Sequence, residues 1–378
     1  MKYCKTCVTP DTRPRITFNE EGVCNACLNK DRKDKINWSD REDEFHDVVR
    51  SLRSLGCEYD LVVPFSGGKD SSAIAWKLKH NYGLNPLLVT FHPLIPSAVA
   101  WHNREEIIHK GGFDQVMVRP NQKVSRHLSR RFFIERGNPE VHRNAGINAV
   151  PVRVAVNYQI PLVMYAEHGE SEYGGRVLSE EHTRTRDFAE VIEHQIGDDP
   201  RNWTDEVVEE RDLAPYLYPE LDQITSVGVT SFYFSYFFRW SILENWEYLQ
   251  TKIDFHTDPD GRTPGTFTNY DSLDDHIDTL YYYMQYIKFG FGRSTRMASR
   301  LIQNGQLSRK TAVALVRKYD HEFPHTHHKD HLDYLGMSVE EFTETVDKHR
   351  DPGIWEKILH PRYSKMEKGE WKHKHPIF

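Results

Sequence analysis

The amino-acid sequence predicts an α/β fold with a doubly wound parallel sheet, preceded by a cysteine-rich segment and followed by a mainly helical region. Between residues 59 and 170, short apolar runs alternate with helical patterns, which is typical of a parallel sheet covered by helices on both faces. Two pairs of cysteines precede these runs, and aromatic, helix-like segments follow them. We therefore expect a cysteine-rich module over 1–35, an α/β domain over 36–200 and a mainly helical region over 201–378.

Each strand of the predicted sheet is a short apolar run that ends at a polar loop. Continuous apolar runs, without the alternation of a half-exposed strand, favour strands buried on both faces. The strands are predicted at 59–65, 85–93, 113–120 and 160–170, and the helices between them at 42–55, 98–110, 121–136 and 147–158. Because ligands of such sheets bind at the carboxyl ends of the strands, we expect the loops after the first, second and fourth strands to meet in one crevice.

The region beyond residue 200 is aromatic and helical. Its helices are predicted at 230–250, 272–289, 294–304 and 308–319. The stretch "HEFPHTHHKDH" over 321–331 contains five histidines, but their spacing matches no established metal motif. We expect this region to close over the edge of the sheet or to form the interface of a homo-oligomer.

Composition argues against two classes of partner. The 378-residue chain has a formal net charge of −7, whereas nucleic-acid-binding proteins usually present a basic surface. No run of 18 apolar residues is present, so no membrane-spanning helix is expected. The N-terminal sequence "MKYCKTCVTPDTRP" lacks the apolar core of a signal peptide. We therefore expect a cytoplasmic protein that binds neither nucleic acid nor membranes.

Four of the five cysteines predict a metal site. Cys4 and Cys7 are separated by two residues, as are Cys24 and Cys27, and sixteen residues lie between the pairs. This spacing is typical of a structural four-thiolate zinc site. An iron–sulfur cluster uses the same ligand set, and disulfides are a further alternative. Zinc is favoured because a segment of about 30 residues cannot build a core of its own.

The stretch "LVVPFSGGKDSSAIAW" (61–76) predicts an anion-binding turn between the first strand and a helix. Gly67 and Gly68 permit backbone angles and close approaches that a Cβ would block. Asp70 and Ser71 suit the first turn of the helix, whose unpaired N–H groups and dipole favour an anion. The order of residues matches neither the Walker A pattern nor G-x-G-x-x-G. A strand–helix turn that merely needs glycine is the alternative.

This loop resembles the SGGxDS loop of the PP-loop ATP pyrophosphatase superfamily, whose sheet is of the HUP-like type. The resemblance implies cleavage of ATP between the α and β phosphates, transfer of AMP to an oxygen of the substrate and release of pyrophosphate. It also implies that Lys69 supplies a point charge and that Asp70 positions the loop or assists a metal ion. The positions that the resemblance assigns to ATP binding are Ser66, Gly67, Gly68, Lys69, Asp70, Ser71 and Ser72.

Two further groups of charged residues are candidates for the site. Carboxylates directly after the fourth strand could hold the Mg2+ that accompanies ATP or accept hydrogen bonds from sugar hydroxyls, with a solvated acidic loop as the alternative. The predicted catalytic carboxylates are Glu167, Glu170 and Glu172. Arginines spaced by three and four residues share one face of a helix and could bind phosphate or carboxylate groups of the substrate, with a solvated basic face as the alternative. They are Arg293, Arg296 and Arg300.

Several motifs together resemble the N-acetyl sugar amidotransferase family of bacterial surface-polysaccharide and nonulosonate pathways. They are "YCKTCVTPDTRP…GVCNAC" before "FSGGKDS", "AEHGESEYGG" after it and "NGQLSRKTAVALVRKYD" near the end, so the resemblance spans nearly the whole chain. Members of the family are implicated in converting an acetamido group of a sugar into an acetamidino group. The resemblance implies that the amide oxygen is adenylylated and that ammonia then displaces AMP.

The sequence offers no suitable nucleophile for releasing ammonia from glutamine. Lys2 stands where an N-terminal-nucleophile glutaminase has cysteine, and Cys57 precedes the first strand instead of following one. We predict that Cys57 is a small buried side chain. The family resemblance therefore implies a separate glutaminase subunit, often with a cyclase-like companion.

Two other functions stay open at this stage. A tRNA-thiolation enzyme also joins cysteine pairs to a PP-loop, but such enzymes usually carry further cysteines, and after the metal site only Cys57 remains. The net negative charge also disfavours tRNA. A non-catalytic adaptor could bind zinc and ATP only to hold a shape, although the intact Lys69–Asp70 pair argues against it.

Overall fold

The computed structural model describes residues 1–175, 179–358 and 370–378. A five-stranded parallel sheet lies at its centre, with the strand order β3-β2-β1-β4-β5. Its strands are β1 (Leu61–Pro64), β2 (Pro86–Phe91), β3 (Asp114–Val118), β4 (Leu162–Tyr165) and β5 (Thr230–Tyr233). The strand order reverses between β1 and β4, which is where doubly wound sheets open a ligand crevice. The predicted α/β fold class is confirmed.

The helices begin and end as follows, in chain order: α1 (Asn25–Lys33), α2 (Trp38–Leu55), α3 (Lys69–Trp76), α4 (Ala98–Gly111), α5 (Gln122–Arg136), α6 (Val141–Asn157), α7 (Gly169–Tyr173), α8 (Glu180–Arg184), α9 (Phe188–Val191), α10 (Leu221–Val227), α11 (Phe234–Phe237), α12 (Ile242–Gln250), α13 (Ile277–Phe289), α14 (Arg293–Gln303), α15 (Arg309–Tyr319), α16 (His328–Leu335) and α17 (Val339–Lys348). Turns of 3-10 or π type lie at Lys77–Asn81, Ile192–Ile196, Pro200–Trp203, Glu210–Tyr216 and His325–His327. Two further strands, β6 (Trp355–Ile358) and β7 (Glu370–His373), form an antiparallel pair. Among the described residues, no helix has both the length and the apolar character needed to cross a membrane.

The sheet separates two hydrophobic cores because side chains alternate between the faces of a strand. Leu61 and Val63 of β1 pack with α3 and α12 on one face, whereas Val62 packs with α5 and α6 on the other. All residues of β2 and β4 are buried. This burial explains why their sequences are continuous apolar runs without polar alternation.

The fifth strand comes from a segment that was predicted to be helical. The prediction of one helix over 230–250 is wrong at its start, because residues 230–233 pair in parallel with β4, with Thr230 opposite Leu162 and Tyr233 opposite Tyr165. The run Thr-Ser-Phe-Tyr suits a strand, but it is too short to be separated from the helices α11 and α12 by periodicity alone. The predicted domain limits at residues 35 and 200 stay predictions.

The N-terminal module packs against the C-terminal helices. The Thr9 hydroxyl lies 2.9 Å from the Ser299 hydroxyl of α14, and the guanidinium of Arg309 donates to the carbonyl oxygens of Cys7 (3.2 Å) and Cys4 (3.3 Å). Val8 belongs to the apolar cluster formed by α14 and α15. The first and last parts of the chain therefore form one wall of the molecule.

Asp320 fixes the start of α14. Its carboxylate accepts hydrogen bonds from the N–H of Gly292 (2.7 Å), the N–H of Thr295 (2.8 Å) and the hydroxyl of Thr295 (2.7 Å). These groups are buried. A carboxylate at a helix N-terminus also interacts favourably with the helix dipole. Asp320 thus orients the helix that carries the three predicted arginines.

We predict that Asp320→Ala lowers the free energy of unfolding by about 2–4 kcal/mol, because it leaves buried donors unsatisfied and removes a helix cap. Urea unfolding followed by circular dichroism measures the change. The control is Glu344→Ala, which removes an exposed carboxylate and should change stability by less than about 0.5 kcal/mol. Equal stability of the two variants would contradict the role given to Asp320.

Candidate functional site

A cleft of about 760 Å³ opens at the carboxyl ends of β1, β2 and β4. Ser66, Phe91 and Glu167, which each follow or end one of these strands, lie along its floor. Helices α13 and α14 form the facing wall, and residues 13–15 of the N-terminal module lie at its rim. The cleft is therefore built from all three predicted parts of the chain.

Close packing requires the two glycines of the loop after β1. Gly67 has a φ of +88°, and a Cβ there would lie 3.1 Å from the Ala100 carbonyl oxygen. A Cβ on Gly68 would lie 2.7 Å from both carboxylate oxygens of Asp274. The loop can therefore approach α4 and the Asp274 side chain only because both positions lack a side chain.

Helix α3 presents an open N-terminus to this loop. Gly68 is its N-cap residue and, as a glycine, has no side chain that could cap the helix. The Ser66 hydroxyl accepts from the N–H of Gly68 (3.1 Å) and lies 3.4 Å from the Ser71 hydroxyl. Both serines line the cleft. Unpaired first-turn N–H groups and two hydroxyls form a site suited to phosphate.

Lys69 is held behind the loop and does not line the cleft. Its ammonium lies 2.7 Å from Asp271 and 3.1 Å from Asp70, and the residue is 7% exposed. Burial by itself would lower the pKa of Lys69, but the two carboxylates raise it above its usual range. Asp271 also pairs with Arg293 at 3.1 Å. Lys69, Asp70 and Arg293 therefore belong to one charge network that anchors the loop to the C-terminal region.

The remaining two loop positions differ in surroundings. Asn245 of α12 donates to the Asp70 carboxylate at 3.1 Å, which fixes Asp70 on the side away from the cleft. Ser72 is completely buried in α3. The residues of the predicted ATP loop that reach the cleft with their side chains are thus Ser66 and Ser71.

Glu172 is a buried ion-pair partner. It is 1% exposed and pairs with the ammonium of Lys33 on α1 and with the guanidinium of Arg300 on α14. Arg300 also donates to the main-chain oxygen of Glu172 at 2.7 Å. The charge of this predicted catalytic glutamate is therefore compensated within the protein.

The other two predicted glutamates are more accessible. Glu170 pairs with Arg15 of the N-terminal module at 3.1 Å. Glu167 accepts a hydrogen bond from the Tyr173 hydroxyl at 3.0 Å. Both line the cleft, so the three glutamates share a loop but have distinct environments.

Arg296 faces the cleft without an acidic partner. Its guanidinium donates to the Tyr282 hydroxyl at 2.8 Å and lies 3.9 Å from the centre of the Tyr173 ring. No carboxylate of the described residues forms an ion pair with it. Arg293, Arg296 and Arg300 do lie along one helix, as predicted, but Arg293 and Arg300 are committed to Asp271 and Glu172.

Sequence reasoning missed an acidic segment before α13. Residues 271–278 contain four aspartates, and Asp274 and Asp278 line the cleft. Asp274 lies against Gly68 and has no ion-pair partner within 4.0 Å among the described residues. The density of aspartate in "DSLDDHID" was the available signal, but the segment was predicted to be the start of a helix over 272–289.

Arg143, which also lines the cleft, lies between this acidic segment and Glu140 of the preceding helix boundary. The Arg143 guanidinium lies 3.7 Å from Glu140, 3.4 Å from Asp275 and 3.8 Å from Asp278. Burial raises the pKa of both Glu140 and Asp278. The side chains therefore form a compact charged group that ties α6 to the start of α13.

The four cysteines of the first segment come together and are buried. The sulfur–sulfur distances are 3.9 Å between Cys4 and Cys27 and 3.6 Å between Cys7 and Cys24, and the four sulfurs lie within 4.8 Å of one another. Zn–S bonds of about 2.3 Å in a tetrahedron place sulfurs about 3.8 Å apart. The cysteines are free and too far apart for disulfides. The group could therefore hold one zinc ion.

Hydrogen bonds support these sulfurs. The N–H groups of Cys7 and Cys24 lie 3.5 and 3.3 Å from the Cys4 sulfur, and the amide of Gln303 on α14 donates to the Cys27 sulfur at 3.8 Å. Such contacts orient ligands and stabilise thiolates. The prediction that Cys57 is buried is wrong, because the residue lies at the surface between α2 and β1 and is partly exposed, with its sulfur 3.9 Å from the Gln159 oxygen.

We predict that the purified protein contains about one zinc ion per chain, because four thiolates complete a tetrahedral site. Cys24→Ser should lose the metal and destabilise the protein, since metal-binding energy contributes to folding. Elemental analysis and thermal unfolding measure both effects. Cys57→Ser is the control and should keep the zinc. Full stability of metal-free protein would show that the interpretation is wrong.

Comparison with known proteins concerns mainly the C-terminal wall. Residues 264–368 match the family model described as "LPS biosynthesis protein WbpG-like, C-terminal domain". The matched segment includes the acidic segment and the arginine helix α14. It confirms the predicted resemblance for this part of the chain and suggests a role in LPS biosynthesis.

A second match is shorter. The chain is 33% identical over 87 residues to an uncharacterized protein of Methanocaldococcus jannaschii. The aligned residues make up 23% of this chain and 31% of that protein. The match thus spans less than a third of the relative, and it assigns no activity.

Proposed function

We propose that this chain is an ATP-dependent amidotransferase that converts the acetamido group of an N-acetyl sugar into an acetamidino group, for LPS O-antigen or nonulosonate biosynthesis. The amide oxygen attacks the α-phosphorus of ATP, pyrophosphate leaves and the amide N–H proton is lost, which gives an O-adenylyl imidate. Ammonia then attacks the imidate carbon and loses one proton as AMP departs. One AMP and one pyrophosphate accompany each acetamidino group.

The main support for this function is the position of the glycine loop opposite the C-terminal wall of the cleft. The strand–glycine–helix loop, which suits phosphate, faces a wall contributed by the segment that matches the LPS family model. The cleft volume of about 760 Å³ lies within the range of roughly 300–1,000 Å³ that is typical of ligand sites. Adenylyl transfer requires a nucleotide and an acceptor held side by side, and positioning of this kind supplies much of the rate enhancement.

The loop and the arginine helix would stabilise negative charge from opposite sides. The first-turn N–H groups of α3, with the hydroxyls of Ser66 and Ser71, would bind the departing pyrophosphate. Arg296, which forms no ion pair with any carboxylate of the described residues, would bind a phosphate of the nucleotide or an anionic group of the sugar substrate. Lys69 would act mainly by holding the loop, because its charge is already paired with Asp271.

Asp274 is the best-placed ligand for the Mg2+ of ATP. Mg2+ prefers oxygen ligands and usually binds one or two carboxylates together with phosphates. Asp274 lies against the phosphate loop and has no ion-pair partner among the described residues, whereas Glu172 and Glu170 are paired with cations. The ion would neutralise phosphate charge. Glu167 would then accept a hydrogen bond from a sugar hydroxyl.

The ammonia would come from a separate glutaminase subunit, with a cyclase-like companion as a further proposed partner. Cys57 is placed near Gln159 and outside the cleft lining, and the other four cysteines form the metal group. The chain thus offers no thiol beside the cleft for hydrolysis of glutamine.

The residues that line the cleft also argue against the two alternative functions, tRNA thiolation and a non-catalytic adaptor. A thiolation enzyme would benefit from a cysteine at the site of transfer, and none of the five cysteines lines the cleft. An adaptor that uses ATP only for shape would not need a carboxylate (Asp274) and a guanidinium (Arg296) that line the cleft and form no ion pair with a described residue.

We predict that the protein consumes ATP to give AMP and pyrophosphate when an N-acetyl sugar and ammonium are supplied. Asp274→Asn should slow this reaction by about a hundredfold, because the metal ligand acts on phosphate charge in the transition state. High Mg2+ should partly restore the rate. Ion chromatography of the nucleotides measures the products.

Glu167→Gln is the matched comparison, since it neutralises another carboxylate of the same cleft. It should raise the KM for the sugar more than it changes the dependence on Mg2+. If Glu167→Gln alone abolishes the Mg2+ dependence, the metal belongs to the glutamate loop. If ADP and phosphate are the products, the proposed reaction is wrong.

We predict that ammonium supports turnover by the isolated chain and that glutamine does not, because no cysteine is placed to release ammonia. Mass spectrometry of the sugar should show replacement of oxygen by NH, a decrease of about one mass unit. Cys57→Ser should keep ammonium-driven turnover. Glutamine-driven turnover that is lost in Cys57→Ser would overturn the proposed partner.

A further inference from the structure

One histidine of the histidine-rich stretch over 321–331 contacts a histidine from another part of the chain. His327 stacks on His276, which lies 51 positions earlier in the chain; the ring centroids are 3.8 Å apart and the planes 20° from parallel. A carboxylate oxygen of Asp330 lies 3.4 Å from Nδ1 of His276. One potential ligand atom from each of these three residues lies within 4.8 Å of the others.

We infer that His276, His327 and Asp330 form a second metal site, which takes a divalent transition-metal ion such as Zn2+. Two imidazoles and one carboxylate are a common donor set for zinc, whereas Mg2+ and Ca2+ prefer oxygen ligands throughout. Zn–N and Zn–O bonds of about 2.0–2.1 Å in a tetrahedron place ligand atoms about 3.3 Å apart. The observed 3.4 Å between His276 and Asp330 fits this spacing.

The protein holds these ligands from several directions. The N–H of His276 donates to the Ile95 oxygen at 2.9 Å, and the His276 oxygen lies 2.9 Å from Nε2 of the fully buried His331. His327 and Asp330 lie where the 3-10 turn passes into α16. Ligands on fixed backbone lose little freedom on binding, which favours the metal-bound state.

A similar group elsewhere is a useful internal comparison. His102, Asp254 and His256 also place potential ligand atoms within 4.8 Å of one another. The side chains of Asp254 and His256 are 65% and 51% exposed, compared with 27% for His276 and 47% for Asp330. Asp254 and His256 lie in a loop after α12. The more exposed, loop-borne group is expected to bind metal more weakly.

A metal ion at this site would stabilise the position of the acidic segment, residues 271–278. His276 directly follows Asp274 and Asp275, and Asp275 accepts hydrogen bonds from the N–H groups of Leu94 (2.6 Å) and Ile95 (2.8 Å) at the exit of β2. An ion held by His276 would therefore stabilise the position of Asp274 beside the phosphate loop. This inference depends on the ligand geometry and not on the proposed reaction.

Equilibrium dialysis of the full chain against Zn2+, followed by elemental analysis, tests the site. The parent protein should bind two equivalents, one at the cysteines and one at the new site. His327→Ala should bind one. Two controls should keep both equivalents: His325→Ala, which lies on the same turn but outside the group, and His256→Ala, which removes a ligand from the more exposed group.

Two further measurements distinguish loss of a metal ligand from a folding defect. Asp330→Asn keeps the shape of the ligand and should weaken the second equivalent by about tenfold or more. With Co2+, the cysteine site should give intense thiolate charge-transfer absorption, and the second equivalent should add only weak visible bands. Binding of a single equivalent by the parent protein, or loss of the second in His256→Ala but not in His327→Ala, would overturn the inference.

Discussion

The buried carboxylate of Glu172 is the constraint on which the cleft depends. It lies in the short helix after β4, and its charge is balanced by Lys33 from the N-terminal module and Arg300 from the C-terminal helices. Removing one partner from a buried ion pair typically costs about 3–5 kcal/mol, because the remaining charge is left unpaired. Separating the three parts of the chain would therefore leave at least one of these charges without its partner. The cleft lies where the three parts meet.

The other buried charges extend the same arrangement. Asp320 orients α14 and so sets where Arg296 points, while Asp271 joins Lys69 to Arg293 behind the phosphate loop. The cysteine group holds the N-terminal module against α14. Asp274 and Arg296 line the cleft and form no ion pair with a described residue, so they are suited to bind a metal ion and an anion. Structural and binding roles are thus divided among neighbouring residues of the same type.

This division changes the interpretation of the SGGKDS loop. Lysine in a phosphate-binding loop is usually expected to contact phosphate directly, but here the ammonium is buried and paired. The loop instead offers main-chain N–H groups and the hydroxyls of Ser66 and Ser71. Backbone donors at a helix start are already oriented before the ligand arrives, which is favourable for binding and for transition-state stabilisation.

The sequence by itself determined the features that depend on local pattern. Apolar runs defined four strands, the glycine loop was placed between β1 and α3, and the cysteine spacing indicated the metal group. The fifth strand, the carboxylate beside Gly68 and the pairing of His276 with His327 came only from the tertiary structure. Each depends on a neighbour far away in the chain, and a residue's burial and charge partners are set by such neighbours. The role of Glu172 shows the same limit: position after a strand predicted a carboxylate at the cleft, but only packing decided that its charge would be compensated by Lys33 and Arg300.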